Sequence, residues 1–302
     1  MKSYIDCVVV GSGVAGMTAA IYLKRANINV LVLEKEVPGG QINRTYKIEN
    51  YPGFVSIEGP ELSMNMLEQL KKLMIEVNYG NVIDISKDND LITVKTEKDE
   101  IICKSLIIAT GRTPKKLGIN NEEKLIGRGI SYCATCDGYF FKGKDVVVVG
   151  GGNSAVEEAH FLSKICRKVY IIHRKNHFTA EKYLQDKIFS QNNIEILFNT
   201  EIKDIIEIEN KINSVITNDS KEIKIDGLFI YIGQTPSTNY VNSLKIEKIN
   251  DYIKVNNEMT TNIEGIFACG DVIKKDVYQI TTAASDATIA ANSVKKYLEE
   301  RS

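Results

Sequence analysis

Apolar runs alternate with stretches of helical periodicity along most of the chain, which is the pattern of βαβ units. Two of these units share one design, in which an apolar run leads through a glycine-rich turn into a helix of small and apolar residues. Residues 5–10 lead into a helix predicted over 14–26, and residues 146–149 lead into one predicted over 155–165. The pattern therefore predicts an α/β protein with parallel strands.

Two further segments have other periods. Residues 59–77 predict an amphipathic helix, and its apolar face carries Leu62, Met66, Leu70 and Leu73. Residues 82–102 contain short apolar stretches separated by acidic turns, which predict antiparallel strands.

A strand-like run that ends in a small-residue turn occurs twice, at residues 106–111 and 228–233, and a proline follows each. Together with the two glycine turns, this repeat predicts a duplicated nucleotide-binding fold. We expect two Rossmann-like three-layer domains, the second inserted in the first. The predicted boundaries are 1–114 and 244–302 for the first domain and 115–243 for the second. A single split near residue 115 is the alternative, but it leaves the C-terminal residues without a domain.

Composition and charge narrow the function classes. A chain of 302 residues suits two domains that each bury a core. Its 43% hydrophobic and 25% charged residues are typical of a soluble globular protein. The net charge of −1 gives no electrostatic reason to expect a nucleic-acid partner. No apolar run approaches the roughly 18 residues of a membrane helix, so we expect no membrane span.

Six cysteines divide into four single ones and one pair at redox spacing, Cys133-Ala134-Thr135-Cys136. The single cysteines lie within or beside apolar segments and are expected to be small buried hydrophobes: Cys7, Cys103, Cys166 and Cys269. This distribution predicts a reducing, cytoplasmic setting with one redox-active pair. No second Cys-x-x-Cys or paired histidine motif supplies zinc ligands, so we expect no metal site.

The two glycine turns are followed by side chains of opposite charge. After the first turn, with Gly11, Gly13 and Gly16, the next apolar run closes on Glu34. After the second turn, at residues 150–155, the next run closes on the bases His173, Arg174 and Lys175. An acid at this position binds a free ribose diol, whereas bases neutralise a 2′-phosphate. The sequence therefore predicts sites for two different dinucleotides.

Seven motifs in order, over almost the whole chain, resemble those of the bacterial-type, low-molecular-weight thioredoxin reductases. They are the first glycine turn, Pro38-Gly39-Gly40-Gln41, Ala109-Thr110-Gly111, Gly127-Arg128-Gly129, the segment from Cys133 to Gly138, the segment from Gly150 to Ala159, and the segment from Gly265 to Asp271. The resemblance implies an FAD-dependent thioredoxin-disulfide reductase that uses NADPH and acts as a homodimer.

The resemblance also assigns cofactor-binding residues. Those implied for FAD are Gly11, Gly13, Gly16, Glu34, Gly40, Gln41, Gly111, Gly270, Asp271 and Gln279. Those implied for the pyridine nucleotide are Gly150, Gly152, Asn153, Ser154, His173, Arg174 and Lys175. The small-residue segment 281–291 matches a helix whose N-terminus faces the isoalloxazine, where a helix dipole favours negative charge.

For the dithiol, the resemblance implies that Cys136 faces the flavin and that Cys133 attacks the disulfide of thioredoxin. Asp137 is the candidate acid and base, although a helix cap or a solvated surface acid is the alternative. The residues implied to grip thioredoxin are Arg128, Tyr139 and Phe140, an arginine-and-aromatic composition common at binding hot spots. The aromatic residues could instead pack between domains.

The sequence departs from the family at the expected phosphate site. Where the family has His-Arg-Arg and then Phe-Arg-Ala, this chain has Lys175 for one arginine and Thr179 for another. Lysine keeps the charge but loses the bidentate fork, and threonine removes a phosphate partner. Tyr278 also stands where the family commonly has arginine. We therefore expect NADPH with weak discrimination against NADH. Reduced ferredoxin as donor, another thioredoxin-like or peroxiredoxin partner, and a non-catalytic redox sensor are the alternatives.

Overall fold

The chain forms two α/β units in the computed structural model, which describes residues 5–45 and 48–301. Residues 1–113 and 236–302 make the first unit, and residues 114–235 make the second. The second unit is thus inserted in the first. The chain returns to the first unit at residue 236, not at the predicted residue 244, because residues 236–243 already pack there. Val241 lies in its core, and the Thr110 hydroxyl donates to the Ser237 carbonyl oxygen at 2.8 Å.

Up to the first crossing, the strands are β1 (Ile5–Val10), β2 (Val30–Glu34), β3 (Val77–Tyr79), β4 (Val82–Asp88), β5 (Leu91–Thr96), β6 (Glu100–Ile108) and β7 (Arg112–Pro114). The helices are α1 (Val14–Arg25) and α2 (Gly59–Lys72), with a 3-10 turn at Gly40–Arg44. The predicted helix over 59–77 is too long at its C-terminus. Met74 adopts a left-handed φ of 54°, which ends the helical path and turns the chain into β3.

In the inserted unit and its return crossing, the strands are β8 (Ile130–Ser131), β9 (Asp145–Val149), β10 (Lys168–His173), β11 (Ile194–Phe198), β12 (Ile202–Ile208), β13 (Lys211–Thr217), β14 (Glu222–Lys224), β15 (Gly227–Ile230) and β16 (Gln234–Pro236). The helices are α3 (Glu122–Leu125), α4 (Ala134–Asp137), α5 (Asn153–Ser163) and α6 (Lys182–Phe189), with a 3-10 turn at Gly138–Phe141.

After the return, the chain adds β17 (Lys248–Ile249), β18 (Tyr252–Ile253), β19 (Ile266–Ala268) and α7 (Ile280–Glu299). Two 3-10 turns lie in the same segment, at Asn239–Val241 and Gly270–Val272. No helix in the described part of the chain is both long enough and apolar enough to cross a membrane.

The first unit is built on a sheet in the order β3-β2-β1-β6-β5-β4, with β19 beside the C-terminal half of β6. Strands β1, β2, β3, β6 and β19 run parallel, whereas β4, β5 and β6 form the predicted antiparallel meander. Side chains alternate between the two faces of β1. Val9 packs with α1, α2 and α7, and Val8 packs with the meander and the C-terminal segment.

The second unit has a parallel sheet in the order β11-β10-β9-β15-β8. Its central strand β9 is the valine-rich run 146–149, which is buried on both faces as expected for a parallel strand. Val148 packs with α5 and α6, while Val147 packs with the small antiparallel sheet β12-β13-β14. Each unit therefore has a Rossmann-like α/β core, which confirms the predicted fold class.

Candidate functional site

The first glycine turn joins β1 to α1, and its three glycines have different surroundings. Gly11 has a φ of 101°, and a Cβ there would lie 2.5 Å from the Ala109 carbonyl oxygen. A Cβ on Gly16 would overlap the carbonyl oxygen of Gly11. At Gly13, by contrast, a Cβ would meet only the Gly39 carbonyl oxygen, at 3.9 Å. The protein itself does not need glycine at position 13, so the open space there is available to a ligand at the N-terminus of α1.

Glu34, at the end of β2, lies beside this turn and is buried. Its Oε2 accepts hydrogen bonds from the backbone N–H (2.7 Å) and the hydroxyl (2.8 Å) of Ser12. Its Oε1 accepts one from the N–H of Glu36 at 2.9 Å. Because a carboxylate has about four acceptor positions, one remains for a further donor such as a ribose hydroxyl.

The segment Pro38–Gln41 folds back over the same turn. The Gly39 N–H donates to the Ser12 carbonyl oxygen at 2.8 Å, and Gly40 takes a φ of 58°. The Gln41 amide nitrogen lies 3.8 Å from where a Cβ on Gly111 would be. The structure therefore brings these predicted residues together around the end of β1 and β6.

The C-terminal segment closes the other side of α1. Gly270 has a φ of 77°, and a Cβ there would lie 2.6 Å from the Ala15 Cβ, so glycine allows the close approach. Asp271 follows and pairs with Arg112 at 2.8 Å and with Lys275 at 3.6 Å. Gln279 caps α7 through a capping box with Thr282.

Arg112 is a residue of this site that the motifs did not indicate. Its guanidinium lies 4.1 Å from the ring centroid of Tyr278, a cation–π distance, while it also pairs with Asp271. Tyr278 stands where the resemblance leads us to expect arginine, and the stacked guanidinium keeps a positive charge next to that position. The only feature of the sequence that could have indicated Arg112 is its position directly after Ala109-Thr110-Gly111.

The second glycine turn joins β9 to α5 and has the same division of roles. Gly150 has a φ of 145°, and a Cβ there would overlap the Tyr231 carbonyl oxygen. A Cβ on Gly152 would meet only the Thr179 hydroxyl oxygen, at 3.9 Å. Asn153 and Ser154, in the first turn of α5, are exposed. The N-terminus of α5 is therefore open to a ligand, as is that of α1.

The three predicted bases after β10 do not have equivalent surroundings. His173 is buried, and its ring lies 2.5 Å from where a Cβ on Gly151 would be. Burial lowers the pKa of His173, which favours the uncharged ring at pH 7. The ring therefore packs against the turn and adds no positive charge to the surface around it. Arg174 and Lys175 are exposed and remain as the cations. Thr179 is used structurally, since its hydroxyl donates to the Gly151 carbonyl oxygen at 3.2 Å, beside a backbone N–H that donates to the same oxygen at 2.7 Å.

Cys133 and Cys136 form a disulfide around the short helix α4. The backbone N–H of Cys136 donates to the Cys133 sulfur at 3.2 Å, and such a donor stabilises a thiolate after reduction. Cys133 is buried and Cys136 is exposed. The other cysteines are unpaired, and burial raises the pKa of each thiol, for Cys103 to about 12 and for Cys166 to about 11. The redox chemistry is thus confined to the pair.

Asp137 is fixed beside the pair by a residue that the sequence did not indicate. Its Oδ2 accepts a hydrogen bond from the Ser131 hydroxyl at 2.6 Å, and the same hydroxyl oxygen accepts the N–H of Cys133 at 3.0 Å. Tyr231 was also missed, and its hydroxyl accepts the N–H of Ala134 at 2.7 Å. Among residues 5–45 and 48–301, no cluster of three or more potential metal-ligand side chains occurs.

Comparison with known proteins agrees with this geometry. Residues 5–287 match the pyridine nucleotide-disulphide oxidoreductase family. The chain belongs to this family. A thioredoxin reductase of Bacillus subtilis (strain 168) is 45% identical over 300 residues, which cover 98% of this chain and 95% of the relative. The resemblance to bacterial-type thioredoxin reductases is thereby confirmed, and with it the enzyme class.

Two solved structures extend the comparison of this oxidoreductase. The Lactococcus lactis thioredoxin reductase, in the FR conformation, matches with a TM-score of 0.93 and 44% identity, covering 99% of this chain and 100% of that one. A ferredoxin-flavin thioredoxin reductase of Clostridium acetobutylicum matches with a TM-score of 0.57 and 30% identity, covering 99% of each chain. This fold therefore also occurs in a reductase that is named for ferredoxin and flavin.

The three residues predicted to contact a partner lie on the surface of the second unit. Tyr139 is 63% exposed and Phe140 is 75% exposed, and Arg128 is exposed as well. The next aromatic residue, Phe141, instead packs against Phe229 with ring centroids 5.3 Å apart. The oxidoreductase therefore presents two large aromatic side chains on the 3-10 turn that follows its dithiol.

Glu158, on α5, is a buried acid of the second unit; it lies within the motif at residues 150–159, which assigns it no role. Desolvation, with a smaller repulsion from Glu157, raises its pKa to about 8, whereas a hydrogen bond from Thr135 opposes the rise. A carboxyl whose pKa is raised on folding contributes most stability below its ordinary pKa and loses that contribution as the pH rises towards 8.

We expect Glu158→Gln to remove this loss of stability at high pH. Between pH 5 and pH 8, the free energy of unfolding of wild type should fall relative to that of the variant by on the order of 3 kcal/mol. Urea unfolding of both proteins at several pH values measures the difference. The exposed neighbour gives the control, since Glu157→Gln removes only the smaller repulsion and leaves the burial of Glu158 unchanged, so its curve should stay close to that of wild type. Parallel pH curves for wild type and Glu158→Gln would show that the buried carboxyl does not titrate in this range.

Proposed function

We propose that this chain is a flavoprotein disulfide reductase that passes electrons from NADPH through FAD and the Cys133–Cys136 pair to thioredoxin. The observation that carries the proposal is the presence of two glycine turns, each with open space at one glycine, next to side chains of opposite charge. When bound, FAD would accept a hydride from a nicotinamide and supply electron pairs to a disulfide.

The first unit fits FAD by the residues around its turn. Gly13 and the N-terminus of α1 would hold the pyrophosphate, because the N–H groups there are directed at an approaching anion. Glu34 has one free acceptor position for the adenosine ribose. Asp271, fixed by Arg112 and Lys275, would accept a hydrogen bond from the ribityl chain.

The second unit fits a pyridine nucleotide. Gly152 and the N-terminus of α5 would hold its pyrophosphate, and the exposed Arg174 and Lys175 would pair with a 2′-phosphate. His173 would support the turn by packing against Gly151. Because Thr179 stands where the family has a third cation, we expect the preference for NADPH over NADH to be smaller than in a site with three cations.

The dithiol would reduce its partner by two thiolate exchanges. The Cys133 thiolate, stabilised by the N–H of Cys136, attacks one sulfur of the partner disulfide and releases the other as a thiolate. Cys136 then attacks Cys133 in the mixed disulfide, so the Cys133–Cys136 bond forms again and the partner leaves with two thiols. Asp137, fixed by Ser131, would supply a proton to the leaving sulfur.

In the disulfide form Cys133 is buried, so we expect it to become accessible only after reduction. Arg128, Tyr139 and Phe140 would form the contact surface for thioredoxin. The relatives named thioredoxin reductase support this partner. Four unpaired buried thiols also support a reducing, cytoplasmic setting.

A ferredoxin-linked reductase is the second candidate. The C. acetobutylicum structure described with ferredoxin and flavin covers 99% of this chain. The chain differs from the family pattern at Lys175 and Thr179, in the expected nucleotide site, and at Tyr278, beside the expected flavin site. The intact second glycine turn favours the nucleotide as donor.

Anaerobic bleaching of the purified yellow protein by each candidate donor tests the proposal. We expect NADPH to bleach the flavin, NADH to need about a tenfold higher concentration because it lacks the phosphate contacts, and reduced ferredoxin to have no effect. Reduction should release two titratable thiols per chain, at Cys133 and Cys136. A colourless protein that cannot be reconstituted with FAD would contradict the proposal, as would bleaching without new thiols.

Two variants test the donor within the same experiment. Arg174→Gln should raise the NADPH concentration needed for bleaching about tenfold and leave that for NADH unchanged, since only NADPH carries the 2′-phosphate that Arg174 would contact. Thr179→Arg should shift the preference further towards NADPH. Bleaching by reduced ferredoxin alone, with neither nucleotide active, would favour the second candidate.

A further inference from the structure

Two adjacent glutamates of α5 have different surroundings. Glu157 is exposed, whereas Glu158 is 8% exposed. The Glu158 carboxyl hydrogen-bonds the side chain of Thr135. Its Oε2 has no hydrogen-bond partner in the described part of the chain. A buried carboxyl that is only partly satisfied needs a physical explanation, because removing it from water costs free energy.

The explanation lies in what Thr135 does. Thr135 is in α4, between the two cysteines, and every residue of this turn outside the pair is held by a different side chain. Ala134 is held by the Tyr231 hydroxyl and Asp137 by the Ser131 hydroxyl. Glu158 holds Thr135 from the helix that follows the second glycine turn.

Charge decides how Glu158 can serve there. Its raised pKa of about 8 keeps the carboxyl neutral at pH 7. A neutral carboxyl can hydrogen-bond Thr135 without placing a negative charge near Cys133 and Cys136. An ionised one would disfavour the Cys133 thiolate and so raise the pKa of that thiol.

We propose that Glu158 is a positioning residue of the dithiol, which holds Thr135 so that the N–H of Cys136 stays directed at the Cys133 sulfur. The inference rests on the proposed function only in treating Cys133 and Cys136 as the redox pair. Glu158 touches neither substrate nor cofactor in this role. It sets the reactivity of Cys133 through the geometry of α4.

The test uses the full chain reduced with dithiothreitol, without nucleotide, so that no electron donor enters the result. The rate of alkylation by iodoacetamide at pH 7 is measured at each cysteine by peptide mass spectrometry. Glu158→Leu and Thr135→Val each remove the hydrogen bond, from opposite sides. Both should slow Cys133 alkylation about fivefold, the effect expected of one net hydrogen bond. Glu158→Gln keeps the hydrogen bond and the neutral state, and should remain within about twofold of wild type.

Two internal controls separate this role from a general loss of structure. Glu157→Gln removes an exposed acid one residue away and should alkylate like wild type. Cys166 is buried in the same unit, so its continued protection shows that a variant has kept its fold. A wild-type rate in Thr135→Val would overturn the inference, as would equal slowing in Glu158→Gln and Glu158→Leu. If dithiothreitol cannot reduce the wild-type pair, the proposed function itself fails.

Discussion

Replacing Cys136 by serine is expected to abolish thioredoxin reduction while leaving bleaching of the bound flavin by nucleotide unchanged. Serine cannot form the Cys133–Cys136 disulfide, so electrons have no path from the nucleotide to the partner. Loss of a catalytic nucleophile typically costs at least about a thousandfold in turnover. The proposed binding sites for FAD and NADPH lie on the two glycine turns, which the substitution does not change. Stopped-flow bleaching and steady-state reduction of thioredoxin measure the two activities separately.

The matched variant is Cys133→Ser, which should lose turnover equally but differ in trapping. The trapping probe is a thioredoxin variant whose single active-site cysteine is joined by a disulfide to a small leaving thiol. In Cys136→Ser, the remaining Cys133 thiolate should displace that small thiol and form a stable mixed disulfide with thioredoxin. Cys133→Ser should capture far less, because the thiolate that accepts the N–H of Cys136 is gone. Wild-type turnover in Cys136→Ser would refute the assignment of roles. Preferential trapping by Cys133→Ser would reverse it.

The local parts of this fold could be predicted from the sequence because their signals are local. Gly11 and Gly150 each end a buried strand and take a positive φ, and a glycine-rich turn after an apolar run records that geometry directly. The return to the first unit could not be placed in the same way. It depends on packing between residues far apart in the chain, such as Thr110 with Ser237, for which no pattern near residue 236 gives a signal.

The candidate site divides along the same line. Glu34 follows from its position at the end of β2, and the structure places it beside the turn. The letters of a basic motif do not show which member is buried, so His173 was grouped with two exposed cations. Ser131 and Glu158 act by supporting the cysteine turn from β8 and α5. Glu158 lies within the motif at residues 150–159, but the motif does not indicate this role, since only the folded chain brings Ser131 to Asp137 and Glu158 to Thr135.

Gly13→Ala is expected to weaken FAD binding by up to about a hundredfold while leaving the apoprotein stable, because one overpacked contact typically costs about 1–3 kcal/mol. Gly13 has a φ of −70°, which alanine adopts freely, and its Cβ would meet only the Gly39 carbonyl oxygen at 3.9 Å. The added methyl group fills only the space assigned to the pyrophosphate. The cost to the apoprotein should stay below about 1 kcal/mol, the difference between glycine and alanine as helix N-caps.

Gly16→Ala is the contrasting variant, three residues along the same turn. Its Cβ would overlap the Gly11 carbonyl oxygen, so the β1–α1 connection must distort whether or not a ligand is present. We expect the apoprotein to lose about 3 kcal/mol or more of its free energy of unfolding. Flavin titration and urea unfolding of the flavin-free proteins measure both quantities. If Gly13→Ala bound FAD like wild type, the open space at Gly13 would not be the pyrophosphate site, whereas equal instability of both apoproteins would show that the chain itself needs glycine there.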